Sequence, residues 1–333
     1  MAILERGEDV IIDSSQIYNG LWIGGTLEAP DTIRSKIEIT RSVFLDVVTF
    51  AWCCFFKEIR LVENSFSTEV LIYDDIFNDW VIFARDTFSE AALISANTFN
   101  ERVGFEEITF GKDAIFAENI FKKGANFRET EFKQKVDFSF SEFKNIHVTW
   151  SQLDGHLVFY PPFHYELIRY FEEQRQLDDA DGAYLFLKDQ ERIKKPWYQR
   201  YPEYWFIQLT CGYGVKWERT LCASLIIILV FSALYTKAGG IKEIEKEFGH
   251  RRRRRKYRIV RKGFGKRLYD ALYFSFQTFI IGVVPEWYPT DQFLINTKRI
   301  NRLKFRTLSM IEGALGWILL VLFVVTLTRK FIR

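Results

Sequence analysis

Histidine, methionine, cysteine and proline are all scarce in this chain of 333 residues, at four, two, four and seven. His147, His156, His164 and His250 are scattered and form no acid, base or metal constellation. No catalytic residue, metal or cofactor is therefore assigned, and an enzyme is not expected. Cys53, Cys54, Cys211 and Cys222 include an adjacent pair and one residue inside an apolar run, which fits neither a disulfide framework nor a zinc spacing. A reducing compartment is the expectation. The first twelve residues carry Glu5, Arg6, Glu8 and Asp9 without an apolar h-region, so a signal peptide is not expected. Net charge bias is also absent over the whole, at +3. What is abundant is aromatic: 17% of residues, with 33 Phe, which excludes disordered and low-complexity classes because rings supply the apolar area that offsets ordering entropy.

The rings are periodic. Phe occupies positions 66, 77, 88, 99, 110, 121, 132 and 143, a strict step of eleven. Between them runs Ile72, Phe83, Ile94, Phe105, Phe116, Phe127 and Phe138, each preceded by two positions by a small or β-branched residue (Val70, Val81, Ala92, Val103, Ala114, Ala125, Val136). Phe44, Phe50, Phe55 and Leu61 extend the frame toward the N-terminus. Alternating steps of five and six match neither a helix nor a long strand; they suit short straight faces joined by corners. In a β-solenoid each face turns one large residue inward and coils stack at about 4.8 Å, so identical residues pile into ladders. The Phe ladders read as a dry core and not as a ligand platform. The intervening Asp, Glu, Lys, Asn, Ser and Thr read as outward positions. Residues 35–150 resemble the pentapeptide-repeat family, whose central residue is Leu or Phe with a small residue two before it. The departure is the alternation of five and six in place of strict fives. Four faces, with two steps of eleven or about 22 residues per coil, are the expected cross-section.

Residues 1–34 are assigned to an N-terminal segment and cap, and residues 151–204 to a helical hairpin linker after Pro161-Pro162, on the spacing of Leu167, Phe171, Ala180, Ala183, Tyr184 and Leu187. The acids Asp178, Asp179, Asp181 and Glu191 read as a solvated helix start and not as a metal site.

Residues 205–333 carry two apolar runs. Residues 220–236 reach about the minimum length of a spanning helix, with Trp205, Tyr213, Trp217, Lys216 and Arg219 before them as an aromatic and basic belt. Residues 308–328 hold one acid, Glu312, and are followed by Arg329, Lys330 and Arg333. Between the runs, residues 268–280 are aromatic but too short and interrupted to cross a bilayer. This order of span, short aromatic helix and span resembles the two-transmembrane pore domain of the tetrameric potassium-channel superfamily. The matching residues are Tyr273-Phe274-Ser275-Phe276 and Thr278 in a pore helix, then Glu312-Gly313 and Gly316-Trp317 in an inner helix. A combination of pentapeptide-like repeats with this pore domain also occurs as a prokaryotic family. The resemblance implies a membrane protein with an N-terminal β-solenoid and a C-terminal all-α pore domain with a re-entrant pore helix. It further implies a homotetrameric, multi-pass protein of the cell membrane with both termini cytoplasmic.

The filter departs from that family. Where its members read Thr-Val-Gly-Tyr-Gly-Asp, alignment on Thr278 and Trp287 places Ile281, Gly282, Val283, Val284, Pro285 and Glu286. A β-branched Val resists positive φ and the ring of Pro locks φ in the negative range, so the stacked carbonyl cages of a potassium filter are not expected. The expected constriction is Ile281 to Val284 with Glu286 above it. Glu312 is either a support behind the constriction or a helix-start acid; Gly313 and Gly316 allow close packing or bending. Phe323 and Val324, with Val325, either gate by dewetting or face lipid. Gly212-Tyr213-Gly214 imitates a filter triplet but precedes the first run.

Residues 238 to 306 hold 18 Lys or Arg against six Asp or Glu, including Arg251 to Lys256 in the basic loop 238–267. That charge opens anion permeation, whereas a ring of Glu286 favours cations. The arginine run reads as a patch for anionic lipid headgroups and not for nucleic acid. The permeant ion stays open, as does the alternative of a non-conducting membrane-anchored scaffold that works through its solenoid.

Overall fold

In the computed structural model, residues 8–238, 241–244, 257–258, 264–282, 287–289 and 304–332 are described. The chain divides into two compact units, Met1–Gln190 and Glu191–Arg333.

The first unit is a β-solenoid with four faces. Its strands form one seven-stranded and three six-stranded parallel sheets, in which each strand pairs with the strand one coil away. The register is two steps of eleven: Phe66 lies beside Phe88, and Phe77 beside Phe99. A single step is therefore half a coil, and the Phe series splits into two stacks on different faces. Phe44, Phe66, Phe88, Phe110 and Phe132 form one, with ring centroids 4.8–5.5 Å apart. Phe55, Phe77, Phe99, Phe121 and Phe143 form the other, at 4.5–5.0 Å and with planes within 15° of parallel. Strand spacing dictates that stacking distance. The smaller residues two before the second series are buried beside the rings, where a larger side chain would not fit.

The coils begin at Val10, ahead of residue 35. Val10 pairs with Ile37 and Leu21 with Val48, a register of 27, whereas Asp31 pairs with Cys53 at 22. The extra five residues form a small turn closed by a Thr26–Ala29 bridge. That excursion, and inward Ile and Leu in place of Phe, removes residues 10–33 from the eleven-residue frame. After Phe143 the final coil is one residue short, since Ala125 pairs with Ile146.

Two features of the corners carry no sequence signal. Arg41, Trp52, Glu63, Asp74, Arg85, Ala96, Glu107, Glu118, Glu129 and Phe140 all have φ between 48° and 60°, in the left-handed region, though none is Gly. The residue after each is turned inward, and most of these are polar: Ser42, Asn64, Asp75, Asp86, Asn97, Asn119, Thr130 and Ser141 are buried. They satisfy corner backbone that no strand pairing reaches.

The helices Pro161–Glu173 and Leu177–Ile193 form the hairpin, started by Pro in the first turn, where its missing N–H costs nothing. The hairpin packs onto the last coil. Phe163 lies 5.0 Å from Phe138 and 5.7 Å from Phe143, and Leu167, Phe171, Ala180, Ala183 and Leu187 join the solenoid core. A ladder must end somewhere, and its terminal rings are apolar surface that this hairpin covers. Of the acid cluster, Asp179 accepts the backbone N–H of Trp150 at 3.0 Å. No group of residues able to hold a metal occurs among the described residues. His164 is fully buried, stacked on Phe186 and bonded through Nδ1 to the Tyr160 carbonyl at 2.9 Å; burial pushes its pKa down, as suits a core imidazole.

The second unit contains two helices long and apolar enough to span a membrane, within Trp217–Thr236 and Phe305–Thr328. The full helices run Trp217–Ala238 and Phe305–Ile332, with Phe264–Ile281 between them in sequence. This region is not wholly helical. Ile241–Ile244 pairs antiparallel with Tyr257–Arg258 and with Trp287–Pro289, a small sheet whose first two strands lie within the basic loop.

Candidate functional site

The candidate site is where the three long helices of the second unit meet. Seen by exposure, the two apolar helices are inside out: Leu221, Leu225, Ile226, Leu229 and Val230 on the first, and Met310, Ile311, Ile318, Val321 and Val325 on the last, all lie on the outer surface. The polar residues Ser232, Ser275, Thr278, Glu312 and Thr326 are buried. Water as solvent would favour the reverse.

Glu312 is fully buried. Tyr235, on the first long helix, donates its phenol hydrogen to Glu312 Oε2 at 2.8 Å. Ser275, on the middle helix, donates to Glu312 Oε1 and lies 2.9 Å from the Ile228 carbonyl. One carboxyl thus ties all three helices. Tyr235 is held for this by aromatic contacts, edge-on to Phe274 at 5.0 Å and tilted against Phe305 at 6.1 Å. Sequence reading singled out Glu312 but assigned neither Tyr235 nor Ser275 to it, because the partners stand 77 and 37 residues away. The available signal was the polarity of Tyr235 and Ser275 inside apolar stretches.

The middle helix ends where its next residue, Gly282, turns left-handed with φ 77°, and the Gly282 N–H closes on the Thr278 carbonyl at 3.0 Å. Gly313 and Gly316, both buried, face this end. A Cβ on Gly316 would collide with the Phe279 carbonyl, whereas one on Gly313 would meet Gly282 Cα and the Thr278 carbonyl at an ordinary 3.5 Å. Gly316 is thus a close-packing residue. The Thr278 hydroxyl is buried and has no hydrogen-bond partner among the described residues. Ile281 is exposed at the helix end. Val283, Val284 and Glu286 of the expected constriction lie outside the described residues, as does the Arg251–Lys256 run. Phe323 is half-buried with its ring 6.2 Å from that of Trp217, and Val324 is exposed. Gly212-Tyr213-Gly214 forms a left-handed turn leading into the first long helix.

Ahead of that turn, the consecutive helical segments Trp197–Glu203, Tyr204–Gln208 and Leu209–Cys211 repeat the inverted pattern. Arg200, Glu203, Gln208 and Thr210 are half-buried, whereas Trp197, Tyr198, Tyr201, Trp205, Phe206 and Leu209 are exposed. Glu203 is paired with Lys195 at 2.7 Å, and the Arg192 guanidinium lies over the Tyr204 ring at 5.2 Å. Thr220 donates to the Thr210 carbonyl at 2.9 Å, which fixes this segment at the start of the first long helix.

In the first unit, a cleft of about 860 Å³ opens beside the last coil, lined by residues that include Arg128, Glu129, His147, His156, Tyr170 and Gln176. Comparisons of the chain with protein-family models, with curated proteins and with solved structures find no match.

Proposed function

We propose that the chain is a multi-pass membrane protein of the cell membrane that forms a homotetrameric ion channel without a potassium-type filter, regulated or assembled through a cytoplasmic β-solenoid. The observation that carries this reading is the buried Glu312 node between three helices whose outer faces are apolar. A bilayer or a neighbouring subunit is the surrounding that suits such faces. Support also comes from the end of the middle helix, brought close to the last helix at Gly313 and Gly316, as a helix dipping back toward a central axis requires. On this reading Trp217–Ala238 and Phe305–Ile332 are the spans, Phe264–Ile281 is the re-entrant helix, and Ile281 to Val284 with Glu286 surround the pathway. Both termini then lie on the cytoplasmic side, and Arg251 to Lys256 meet anionic lipid headgroups.

The exposed rings of residues 197–211 support the membrane part independently. Trp and Tyr prefer the headgroup zone, where one edge of the ring is apolar and the other wet, and this segment runs directly into the first span. The test is the purified full-length protein in planar bilayers. Unitary currents whose cation-to-anion ratio falls in Glu286→Gln support the channel, and a strong preference for potassium over sodium in liposome flux overturns the filter assignment.

A second reading, a non-conducting scaffold anchored by the two spans, is favoured by the cleft beside the last coil, a recess on the solenoid that polar and charged residues such as Arg128, Glu129 and His156 line. Electrical silence across ionic and pH conditions supports it over the channel. An anion-permeable pore, favoured by the basic loop, is distinguished by reversal potentials in the same bilayers.

A further inference from the structure

At four solenoid corners, those of Asn64, Asn97, Asn119 and Ser141, the inward polar residue has two partners. It accepts the backbone N–H of the corner one coil earlier, and it donates to a backbone carbonyl just ahead of that corner. Asn64, Asn97 and Asn119 do both: each Oδ1 accepts an N–H at 3.0 Å, and each Nδ2 donates to the carbonyl of Ile39, Ile72 or Ile94 at 2.9, 2.8 and 2.5 Å. Asp75 and Asp86 occupy equivalent inward positions at opposite corners, each 1% exposed. They perform the first task, Oδ1 accepting from the Cys53 and Asn64 backbone N–H groups at 2.7 Å. Their Oδ2 atoms are buried without a hydrogen-bond partner. By register, the remaining partner is the Phe50 carbonyl for Asp75 and the Leu61 carbonyl for Asp86. A carboxylate has no hydrogen to offer a carbonyl, and two acceptors facing each other in a dry interior repel.

We propose that Asp75 and Asp86 are neutral carboxylic acids in the folded solenoid, their Oδ2–H groups donating to the Phe50 and Leu61 carbonyls respectively, so that their ionisation is a built-in, pH-dependent weakening of the coil stack. Their surroundings agree. Around Asp75 the titratable groups are the adjacent exposed Asp74, the Cys53 thiol below it and Asp31 beyond; none is a cation. Around Asp86, Arg85 turns outward to pair with Glu63 at 2.8 Å, Glu107 lies at the next corner, and the rung neighbours Asn64 and Ile108 are uncharged. Burial pushes the carboxyl of Asp75 up to about 8 and that of Asp86 up to about 7, against the backbone N–H bonds that pull both down and, for Asp86, against the weaker pull of the Asn64 side chain and the Arg85 charge.

The direction follows. An unfolded Asp titrates near 3.9, so from about pH 4 upward the folded chain holds protons that the unfolded chain has released. Stability from these two groups is complete below about pH 4 and is lost as pH rises through their folded values. The test is urea unfolding of the full-length protein in detergent micelles, followed by far-UV circular dichroism at a series of pH values, for wild type, D75N, D86N, D75N/D86N and N97D. Between about pH 5 and pH 6.5, the logarithm of the wild-type unfolding constant should rise more steeply than that of D75N/D86N by about two per pH unit, and more steeply than that of either single variant by about one. N97D should gain a slope of the same sign. Infrared difference spectra near pH 6 should show a buried carboxylic C=O stretch that D75N/D86N lacks. Parallel pH curves for wild type and the double variant, or no such band in wild type, would overturn the proposal.

Discussion

Tyr235 and Glu312, 77 residues apart, are joined by a buried hydrogen bond in which the phenol donates to Oε2 at 2.8 Å. Tyr235→Phe keeps the ring and its contact with Phe274 but leaves one carboxyl oxygen short of a donor. It should lower stability by about 1–3 kcal/mol in thermal unfolding of the micellar protein. Combined with Ser275→Ala, the two losses should be non-additive by roughly 0.5–3 kcal/mol, because both hydroxyls serve one carboxyl. Strict additivity would show that Glu312 does not couple the three helices.

The two glycines of the last helix should behave differently. Gly316→Ala places a methyl against the Phe279 carbonyl, which is backbone and cannot swing aside, and should cost about 1–3 kcal/mol or more. Gly313→Ala meets only ordinary contacts and gains up to about 1 kcal/mol of helix propensity. Thermal unfolding of both variants, with the oligomeric state checked by native mass spectrometry, reads the contrast.

Within the solenoid, Phe99 is stacked between Phe77 at 4.8 Å and Phe121 at 5.0 Å, whereas half-buried Phe143 is stacked in line on Phe121 alone. Phe99→Ala should cost about 3–5 kcal/mol and Phe143→Ala distinctly less, measured by urea denaturation. Equal costs would argue against a continuous ladder.

The exposed rings of residues 197–211 give a membrane test that does not depend on conduction. In vesicles, the fluorescence of Trp197 and Trp205, with the remaining seven Trp replaced by Phe, should be quenched by lipids brominated near the headgroup more than by lipids brominated at the chain end. Quenching by aqueous iodide alone would place this segment in water.

Cys53 supplies a chemical check on the solenoid core. Burial pushes its thiol up to about 12, so the reactive thiolate is scarce at neutral and mildly alkaline pH. Iodoacetamide should leave Cys53 unmodified in the folded protein and modify it after urea unfolding, read by peptide mass spectrometry. Rapid modification of the folded chain would mean that the coil around Cys53 opens.

The solenoid was legible in the sequence because the inward residues of its middle coils are mostly one large residue, Phe, and a regular coil converts spatial stacking into fixed spacing. The first coil was hidden by the five-residue excursion before Asp31, which shifts the frame without disturbing the stack. The corners were illegible for a different reason. Glu63, Arg85 and Glu118 adopt left-handed backbone that Gly or Asn usually marks, and the inward corner positions mix hydrogen-bonding Ser, Asn, Asp and Thr with Cys53 and Ile108, so no single composition marks them. In the second unit, helix positions followed from apolar run lengths. The partners of Glu312 did not, since contacts across 37 and 77 residues leave no local pattern.

The fixed coil register makes the length of the first unit a stepped quantity. A duplication of one whole coil, such as the stretch from Phe66 to the residue before Phe88, lengthens the rod by one strand spacing, about 4.8 Å, and returns every later side chain to its own face. A duplication of half a coil swaps opposite walls, and any other number throws rings toward solvent. Drift in gene length should therefore be tolerated only in whole coils, or in excursions such as the one between Gly24 and Asp31 that leave the wall and rejoin it in phase.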